Sequence, residues 1–154
     1  MEIERCTKAD FLDIVDDLPS FWGSDRTAGA HHPMVIEEFG DTAFVMREDG
    51  VICGYLFGFF AQTGPYFFIH LVGVRDSHKG RGIGRALYAH VEALARARGA
   101  TALKAITSLS NTASVAFHGA LGFRQLGDGV QAGIRYVPSY FSRTRNMVVL
   151  WKDL

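Results

Sequence analysis

The chain has 154 residues and a mass of 17.0 kDa, the usual size of one compact domain, so we expect a single domain over residues 1–154. Hydrophobic residues make up 48% of the chain and charged residues 21%, which excludes a disordered protein because a sizeable core can be buried. Sixteen basic residues balance sixteen acidic ones. A dedicated nucleic-acid binder normally carries a basic excess, so no nucleic-acid partner is expected.

Cysteine usage and the N-terminal sequence indicate the setting in which the protein works. Cys6 and Cys53 are too few for a disulfide framework or a zinc site, and we expect no metal. The first twenty residues hold six acidic side chains, the opposite of a basic and then apolar signal peptide. The longest apolar run, residues 51–61, is about half the length that spans a bilayer. A cytoplasmic protein without membrane contact is expected.

In chain order, the first half predicts a strand, a helix and three antiparallel strands. Thr7 followed by Asp10 resembles a capping box, and the helix that it opens stops at Pro19. The turn-rich residues 19–34 predict a loop. A short helix follows, and Glu48-Asp49-Gly50 predicts a hairpin turn. The predicted elements are strand 2–5, helix 7–18, helix 33–39 and strands 42–47, 51–62 and 66–74.

The second half alternates helices and strands. Apolar residues recur at helical spacing over 82–98, and Gly99 ends that helix. The further predicted elements are strand 102–107, helix 111–121, strand 123–126, an irregular aromatic loop over 127–144 and strand 146–151. Antiparallel strands followed by a β-α-β-α-β run predict an α+β (mixed α/β) fold with a mixed sheet.

The most informative stretch is residues 72–85, VGVRDSHKGRGIGR. A predicted strand ends at Val74, a basic turn carries glycines at 80, 82 and 84, and a long helix begins. The unpaired backbone N–H groups of a helix start and the positive end of its dipole bind phosphate. Residues 75–104 hold seven basic and two acidic side chains, an excess of five. The pattern predicts a site for a diphosphate.

Two other phosphate motifs are excluded, and one other class of binder is disfavoured. A P-loop requires Gly-Lys-Ser/Thr after four intervening residues, which the sequence lacks. A dinucleotide fingerprint requires a glycine three residues after Gly84, where Leu87 stands. A surface that tracks a nucleic-acid backbone interleaves aromatic residues with basic ones, and the basic segment holds only Tyr88.

The stretch 78–87, HKGRGIGRAL, resembles the acyl-CoA-binding motif of the GNAT superfamily of N-acetyltransferases, Gln/Arg-x-x-Gly-x-Gly/Ala, with Lys79 at the first position. Downstream, NTASVAFHGALGF at 111–123 is similar to the second cofactor motif of that superfamily. The order of elements matches over nearly the whole chain. The resemblance implies a central, mostly antiparallel sheet of about seven strands, splayed between strands 4 and 5 and flanked by about four helices.

The same resemblance implies acetyl-CoA as co-substrate and assigns its contacts. Backbone groups around Val72 and Val74 would pair with the pantetheine arm, and the bulged backbone near Leu71 and Val72 would polarise the thioester carbonyl. The pyrophosphate would lie on residues 79–85. In full, the implied cofactor-binding residues are Leu71, Val72, Val74, Lys79, Gly80, Arg81, Gly82, Ile83, Gly84, Arg85, Asn111, Ala113, Ala116 and Phe117.

Two histidines are the candidate catalytic groups. Many members of the superfamily supply a general acid from a tyrosine just after the helix phenylalanine, and here that position is His118. A thiolate also departs without an acid, in which case His118 positions the substrate, and the remaining alternative for His118 is a purely structural role. His70 stands where the superfamily often has an acidic base, and strand alternation puts it on the face of Val72 and Val74. Its alternative role is that of a core histidine.

Candidate substrate residues lie in residues 19–34 and in the late aromatic loop. By the resemblance, residues 19–34 lie where the superfamily covers its acceptor, and they are called the acceptor segment below. The candidates are Trp22, Arg26, His31, Tyr136 and Tyr140. His31 and His32 are adjacent, but two histidines without a third ligand at fixed spacing do not predict a metal site.

Three functional hypotheses follow. The first is an enzyme that moves an acetyl group from acetyl-CoA to a primary amine of a small molecule or amino-acid-like metabolite in a ternary complex. The second is an acetyltransferase that acts on a protein N-terminus or lysine. The third is an acyl-CoA-binding regulatory module with little catalysis. A homodimer formed through the late aromatic residues 136–141 is a further expectation.

Overall fold

The computed structural model describes residues 1–154 as nine strands and five helices, which confirms the α+β class. The chain divides into two compact units, a first unit of residues 1–59 and 69–94 and a second unit of residues 60–68 and 95–154. In chain order the elements are β1 (Glu2–Arg5), α1 (Lys8–Asp16), α2 (Pro19–Trp22), α3 (Met34–Glu37), β2 (Ala43–Glu48), β3 (Val51–Phe60), β4 (Tyr66–Val74), α4 (Ile83–Ala97), β5 (Ala102–Thr107), α5 (Thr112–Ala120), β6 (Arg124–Leu126), β7 (Gly129–Gln131), β8 (Ile134–Ser142) and β9 (Arg145–Asp153), with 3₁₀ turns at Ala28–Ala30, Gly40–Thr42 and Asp76–His78.

The first unit holds β1, β2 and most of β3 and β4, and these strands pair in the order β1-β2-β3-β4. The predicted hairpin between β2 and β3 is confirmed, and Asp49 and Gly50 turn it with positive φ angles of 50° and 79°. Those two left-handed residues match the right-handed twist of the flanking strands, which is why Asp-Gly is favoured there. The hairpin turn leaves Glu48 at the very end of β2.

Helix α1 starts where the sequence predicts it. Thr7 accepts a hydrogen bond from the backbone N–H of Asp10, and the Asp10 carboxylate accepts one from the backbone N–H of Thr7, a complete capping box. The buried face of the helix packs into one apolar cluster of the first unit. That cluster holds Cys6, Phe11, Ile14, Leu18, Phe21, Val35, Ala43, Val45, Ile52, Tyr55, Phe57 and Leu71.

The acceptor segment is more ordered than predicted. The loop prediction for residues 19–34 is wrong in part, because α2 and the 3₁₀ turn Ala28–Ala30 lie within it. Pro19 occupies the first position of α2, where its missing N–H costs no hydrogen bond, and Gly23 ends the helix in the left-handed region. Proline therefore ends one helix in this sequence and begins the next.

The second unit orders its strands β5-β9-β8-β7, and β6 also pairs with β9. The prediction of an irregular loop over residues 127–144 is wrong. β7 and β8 form an antiparallel hairpin there, in which Gln131 pairs with Ile134 across a turn at Ala132 and Gly133. These two strands account for the difference between the seven strands expected and the nine observed.

Candidate active site

The phosphate loop, residues 75–82, connects β4 to α4 and contains two glycines in the left-handed region. Gly80 has a φ of 77° and Gly82 a φ of 81°, so any other residue at either position is strained. A Cβ at either position would meet no atom within 4 Å. The first hydrogen bond of α4 runs from the N–H of Ala86 to the Gly82 carbonyl, which leaves the preceding N–H groups available. Open space beside unpaired N–H groups fits a diphosphate.

Ion pairs fix several of the basic side chains in and before this loop. Arg75 donates to Asp17 at 2.7 Å and to the Ile52 carbonyl at 2.8 Å, and its guanidinium lies 4.7 Å from the centre of the Phe21 ring. Lys79 lies 2.5 Å from Asp76. Acidic side chains of the protein therefore neutralise part of the predicted basic excess. Arg75 has a structural role, because it pairs with Asp17 and packs on Phe21.

Arg81 is also paired, with an acid distant in the sequence. Its two terminal nitrogens donate to the two oxygens of Glu48 at 2.8 and 2.6 Å, and Nε2 of His78 lies 3.1 Å from the same carboxylate. The bond to Arg81 is the main reason that the pKa of Glu48 lies below its usual value. Arg85, in contrast, is an exposed residue on the first turn of α4.

Strand β4 presents alternating faces, as the sequence predicts. Phe67, Ile69 and Leu71 are buried, whereas His70 and Val72 lie half-buried on the other face. His70 Nε2 lies 2.8 Å from the Ala30 carbonyl, which can only accept, so Nε2 carries the proton. In the neutral ring the lone pair is then on Nδ1, the atom through which His70 would act as a base.

The acceptor segment is anchored to the core by Tyr55, a residue that the sequence analysis did not select. The Tyr55 hydroxyl accepts a hydrogen bond from Trp22 Nε1 at 2.7 Å and lies 2.7 Å from His31 Nε2. His31 Nδ1 lies 2.8 Å from the Thr27 carbonyl and therefore carries the proton of the ring. The Tyr55 hydroxyl must then donate its hydrogen to His31 Nε2. The donor and the acceptor are thus assigned for all three hydrogen bonds of this network.

The structure thus changes the interpretation of His31. Only 5% of its surface is exposed, and both ring nitrogens bond within the protein, so His31 holds the acceptor segment rather than lining an open surface. Trp22 is half-buried and shares this network. Arg26 is exposed and lies over the Trp22 ring, with its guanidinium 5.6 Å from the ring centre. Arg26 remains a predicted substrate contact.

We expect stability to fall as the pH is lowered from about 7 to 5. Burial lowers the pKa of His31 and of His118 below the ordinary value of 6.5. At pH values between 6.5 and the lowered pKa of each folded histidine, the unfolded chain binds a proton that the folded chain does not. Lowering the pH therefore favours unfolding. Denaturant titrations at several pH values should show this loss. His31→Gln should flatten the profile, whereas His32→Gln, at the exposed neighbour, should leave it unchanged; an equal effect of both variants would contradict this account.

In the second unit, α5 carries the second predicted cofactor motif. The side-chain oxygen of Asn111 accepts from the N–H of Ser114 at 3.2 Å and caps the helix. Ala113 and Ala116 are exposed and Phe117 is half-buried. The small exposed side chains leave one side of α5 open to a ligand, as the resemblance requires.

His118 is buried on α5, with the Phe117 and Phe123 rings packed edge-on against it at 5.5 and 5.2 Å. Nδ1 lies 2.7 Å from the Ser114 carbonyl and carries the proton, so Nε2 has none in the neutral ring. Burial lowers the pKa of His118, which favours that neutral form. The general-acid role therefore stays a prediction, and it requires the imidazolium form.

The two tyrosines of the late aromatic sequence lie on β8. Tyr136 is half-buried. Its ring lies against Gly129 and its backbone against Gly127, and a Cβ at either glycine would collide with Tyr136. Tyr140 is exposed, with Lys104 Nζ 5.2 Å from the centre of its ring. Their predicted contact with substrate remains a prediction.

No group of three or more His, Cys, Asp or Glu side chains is placed to hold a metal ion. None of the helices has the length and apolar character needed to cross a membrane.

Comparisons with known proteins agree with the resemblance. The family model described as Acetyltransferase (GNAT) family matches residues 10–123. A curated relative from Salmonella typhimurium, named L-methionine sulfoximine/L-methionine sulfone acetyltransferase, is 29% identical over 150 residues, covering 88% of this chain and 87% of the relative.

Solved structures share the fold. The ribosomal-protein-S18-alanine N-acetyltransferase of Escherichia coli aligns with a TM-score of 0.72 at 16% identity, over 99% of this chain and 92% of that one. An acetyltransferase structure from Salmonella typhimurium with its cofactor acetyl-CoA aligns with a TM-score of 0.69 at 24% identity, over 100% of this chain and 94% of that one. At these identities the likeness establishes the fold alone.

Proposed function

Because this chain belongs to the acetyltransferase (GNAT) family and is an acetyltransferase, we propose that it moves the acetyl group of acetyl-CoA to the primary amine of a small, amino-acid-like metabolite. The observation that carries the cofactor assignment is the phosphate loop. Gly80 and Gly82 adopt left-handed backbone angles with open space beside them, directly before the start of α4. Support for a small acceptor comes from the Salmonella relative, whose name gives two methionine derivatives as substrates.

The proposed chemistry is direct attack in a ternary complex. The amine nitrogen forms a bond to the thioester carbonyl carbon, the carbon–sulfur bond breaks, and the sulfur leaves as the thiol of CoA. His70 takes the amine proton through Nδ1. His118, in its imidazolium form, supplies a proton to the departing sulfur. Neither cofactor motif contains a cysteine, so an acyl-enzyme on a thiol of these motifs is not expected.

The assay is release of free thiol from acetyl-CoA in the presence of different amines. The panel holds L-methionine sulfone and other free amino acids, a peptide with an N-terminal alanine and a peptide with an internal lysine. We expect turnover with free amino acids. Turnover with the peptides alone would place the acceptor on a protein, and CoA binding without any turnover would leave a regulatory module.

In the same assay, His70→Ala and His118→Ala should each lower kcat/KM by about 100-fold or more, the usual contribution of a general base or acid. His32→Ala is the matched control, because His32 is an exposed histidine of the acceptor segment. If both variants turn over at the wild-type rate, the catalytic assignments are wrong even where the acetyltransferase activity is real.

A further inference from the structure

The side chain of Glu48, at the end of the β2–β3 hairpin, contacts the middle of the phosphate loop. Its carboxylate accepts a two-pronged bond from Arg81 at 2.8 and 2.6 Å and lies 3.1 Å from His78 Nε2. His78 and Arg81 flank Gly80 on its two sides. A single carboxylate thus holds the loop on both sides of Gly80. A two-pronged arginine–carboxylate bond is the strongest form of this contact and fixes orientation as well as distance.

The glycine half of the loop needs such an anchor, because the bonds formed within the loop, the 3₁₀ turn Asp76–His78 and the Lys79–Asp76 ion pair, all lie before Gly80. Gly80 and Gly82 are exposed, and glycine loses more backbone entropy on ordering than any other residue. The two ends of the loop are held, since Arg75 bonds to Asp17 and Ile83 is 2% exposed. If the middle of the loop is not ordered in the free protein, it must become ordered when the ligand binds. The entropy lost in that step weakens binding.

We infer that Glu48 is a positioning residue for the phosphate loop: by holding Arg81 and His78, it keeps the loop in the shape that binds the diphosphate of acetyl-CoA before the ligand arrives. The identity of that ligand rests on the proposed function. Arg81 then contributes as a tether, with its guanidinium turned onto Glu48. This positioning role accounts for the presence of a carboxylate beside a site for an anion.

The sign of the effect separates this inference from simple electrostatics. Removing a negative charge near a diphosphate site should strengthen binding if the charge only repels the ligand. If Glu48 positions the loop, Glu48→Gln should weaken binding instead. Glu4→Gln is the matched control, because Glu4 is also an acid paired with an arginine, Arg47, and the substitution changes the net charge equally.

The experiment compares Glu48→Gln, Arg81→Gln, the double variant and Glu4→Gln. By calorimetry, each loop variant should raise the Kd of CoA about 5- to 20-fold, and the double variant should be no more than about twofold weaker than either single one, because the two residues act as one unit. At saturating acetyl-CoA, the kcat of Glu48→Gln should stay within about twofold of wild type. The KM of Glu48→Gln for S-acetylpantetheine, which has no diphosphate, should equal that of the wild type.

Equal or tighter CoA binding by Glu48→Gln would overturn the inference, as would fully additive effects in the double variant. Hydrogen exchange of the amides of residues 76–84 in the ligand-free protein provides a second readout. Exchange should be faster in Glu48→Gln and Arg81→Gln but not in Glu4→Gln. If the wild-type protein binds no CoA, the proposed function fails, and the exchange rates alone decide whether Glu48 positions the loop.

Discussion

Gly82→Glu should abolish measurable binding of CoA and acetyl-CoA, raising the Kd by at least about 100-fold. Gly82 has a φ of 81° at the start of α4, where the N–H groups that would hold the diphosphate are unpaired. Glutamate is strained at that angle, which costs about 1 to 2 kcal/mol. It also places a negative carboxylate against a negative ligand, and like charges in contact cost several kcal/mol more. Calorimetric titration with CoA measures the loss.

Two controls separate backbone strain from loss of the binding site. Gly99 follows the end of α4 with the same φ of 81° and equally open space around it, but it lies outside the phosphate loop. Gly99→Glu should destabilise the protein to a similar degree and still bind CoA. Gly82→Ala, which adds strain without charge, should bind with intermediate affinity. Normal CoA binding by Gly82→Glu would remove the central argument for the cofactor site.

Gly73→Ala should destabilise the folded protein by about 3 kcal/mol, the upper end of what overpacking costs. A Cβ at Gly73 would lie 2.5 Å from Cε1 and 2.6 Å from Cζ of Tyr55. The Tyr55 ring has no exposed surface, and its hydroxyl is held between Trp22 and His31. Because the ring cannot move aside without breaking those bonds, the collision is not relieved cheaply. Denaturant unfolding gives the change in free energy.

Gly40→Ala is the matched control, since a Cβ at Gly40 meets nothing within 4 Å and its backbone angle is not left-handed. It should leave stability nearly unchanged. Removing the tyrosine ring should relieve the collision, so Gly73→Ala in a Tyr55→Leu background should cost less than in the wild type. Equal stability of Gly73→Ala and Gly40→Ala would mean that the Tyr55 ring does not pack on Gly73.

Local sequence signals predicted the elements that position the site. Strand β4 has the predicted bounds, and the α4 and α5 helices end within two residues of the predicted positions. The capping box at Thr7 and the Asp49-Gly50 turn are also as expected. Each of these signals acts over a few residues of chain, through backbone angles, capping bonds or apolar periodicity, and so can be recognised in the sequence.

The strands β7 and β8 could not be predicted in the same way. Pro138 and the left-handed Ser139 interrupt the strand pattern of β8, and the register with β9 shifts between Val137 and Ser142. Strand β8 forms because it pairs with β9. The residues of β9 lie outside the stretch of sequence from which a strand over residues 134–142 would be predicted. The turn at Ala132 and Gly133 lacks the Asn or Asp that usually marks such a hairpin.

The family, the fold class and the phosphate loop can be recognised from the amino-acid sequence, because glycines at fixed spacing before an amphipathic helix form a local motif. The anchoring role of His31 and the bond between Glu48 and Arg81 become visible in the folded structure. His31 meets Tyr55 across 24 residues of chain, and Glu48 meets Arg81 across 33. No periodicity or spacing rule relates residues so far apart. Their bonds exist because the folded first unit brings those side chains within hydrogen-bonding distance.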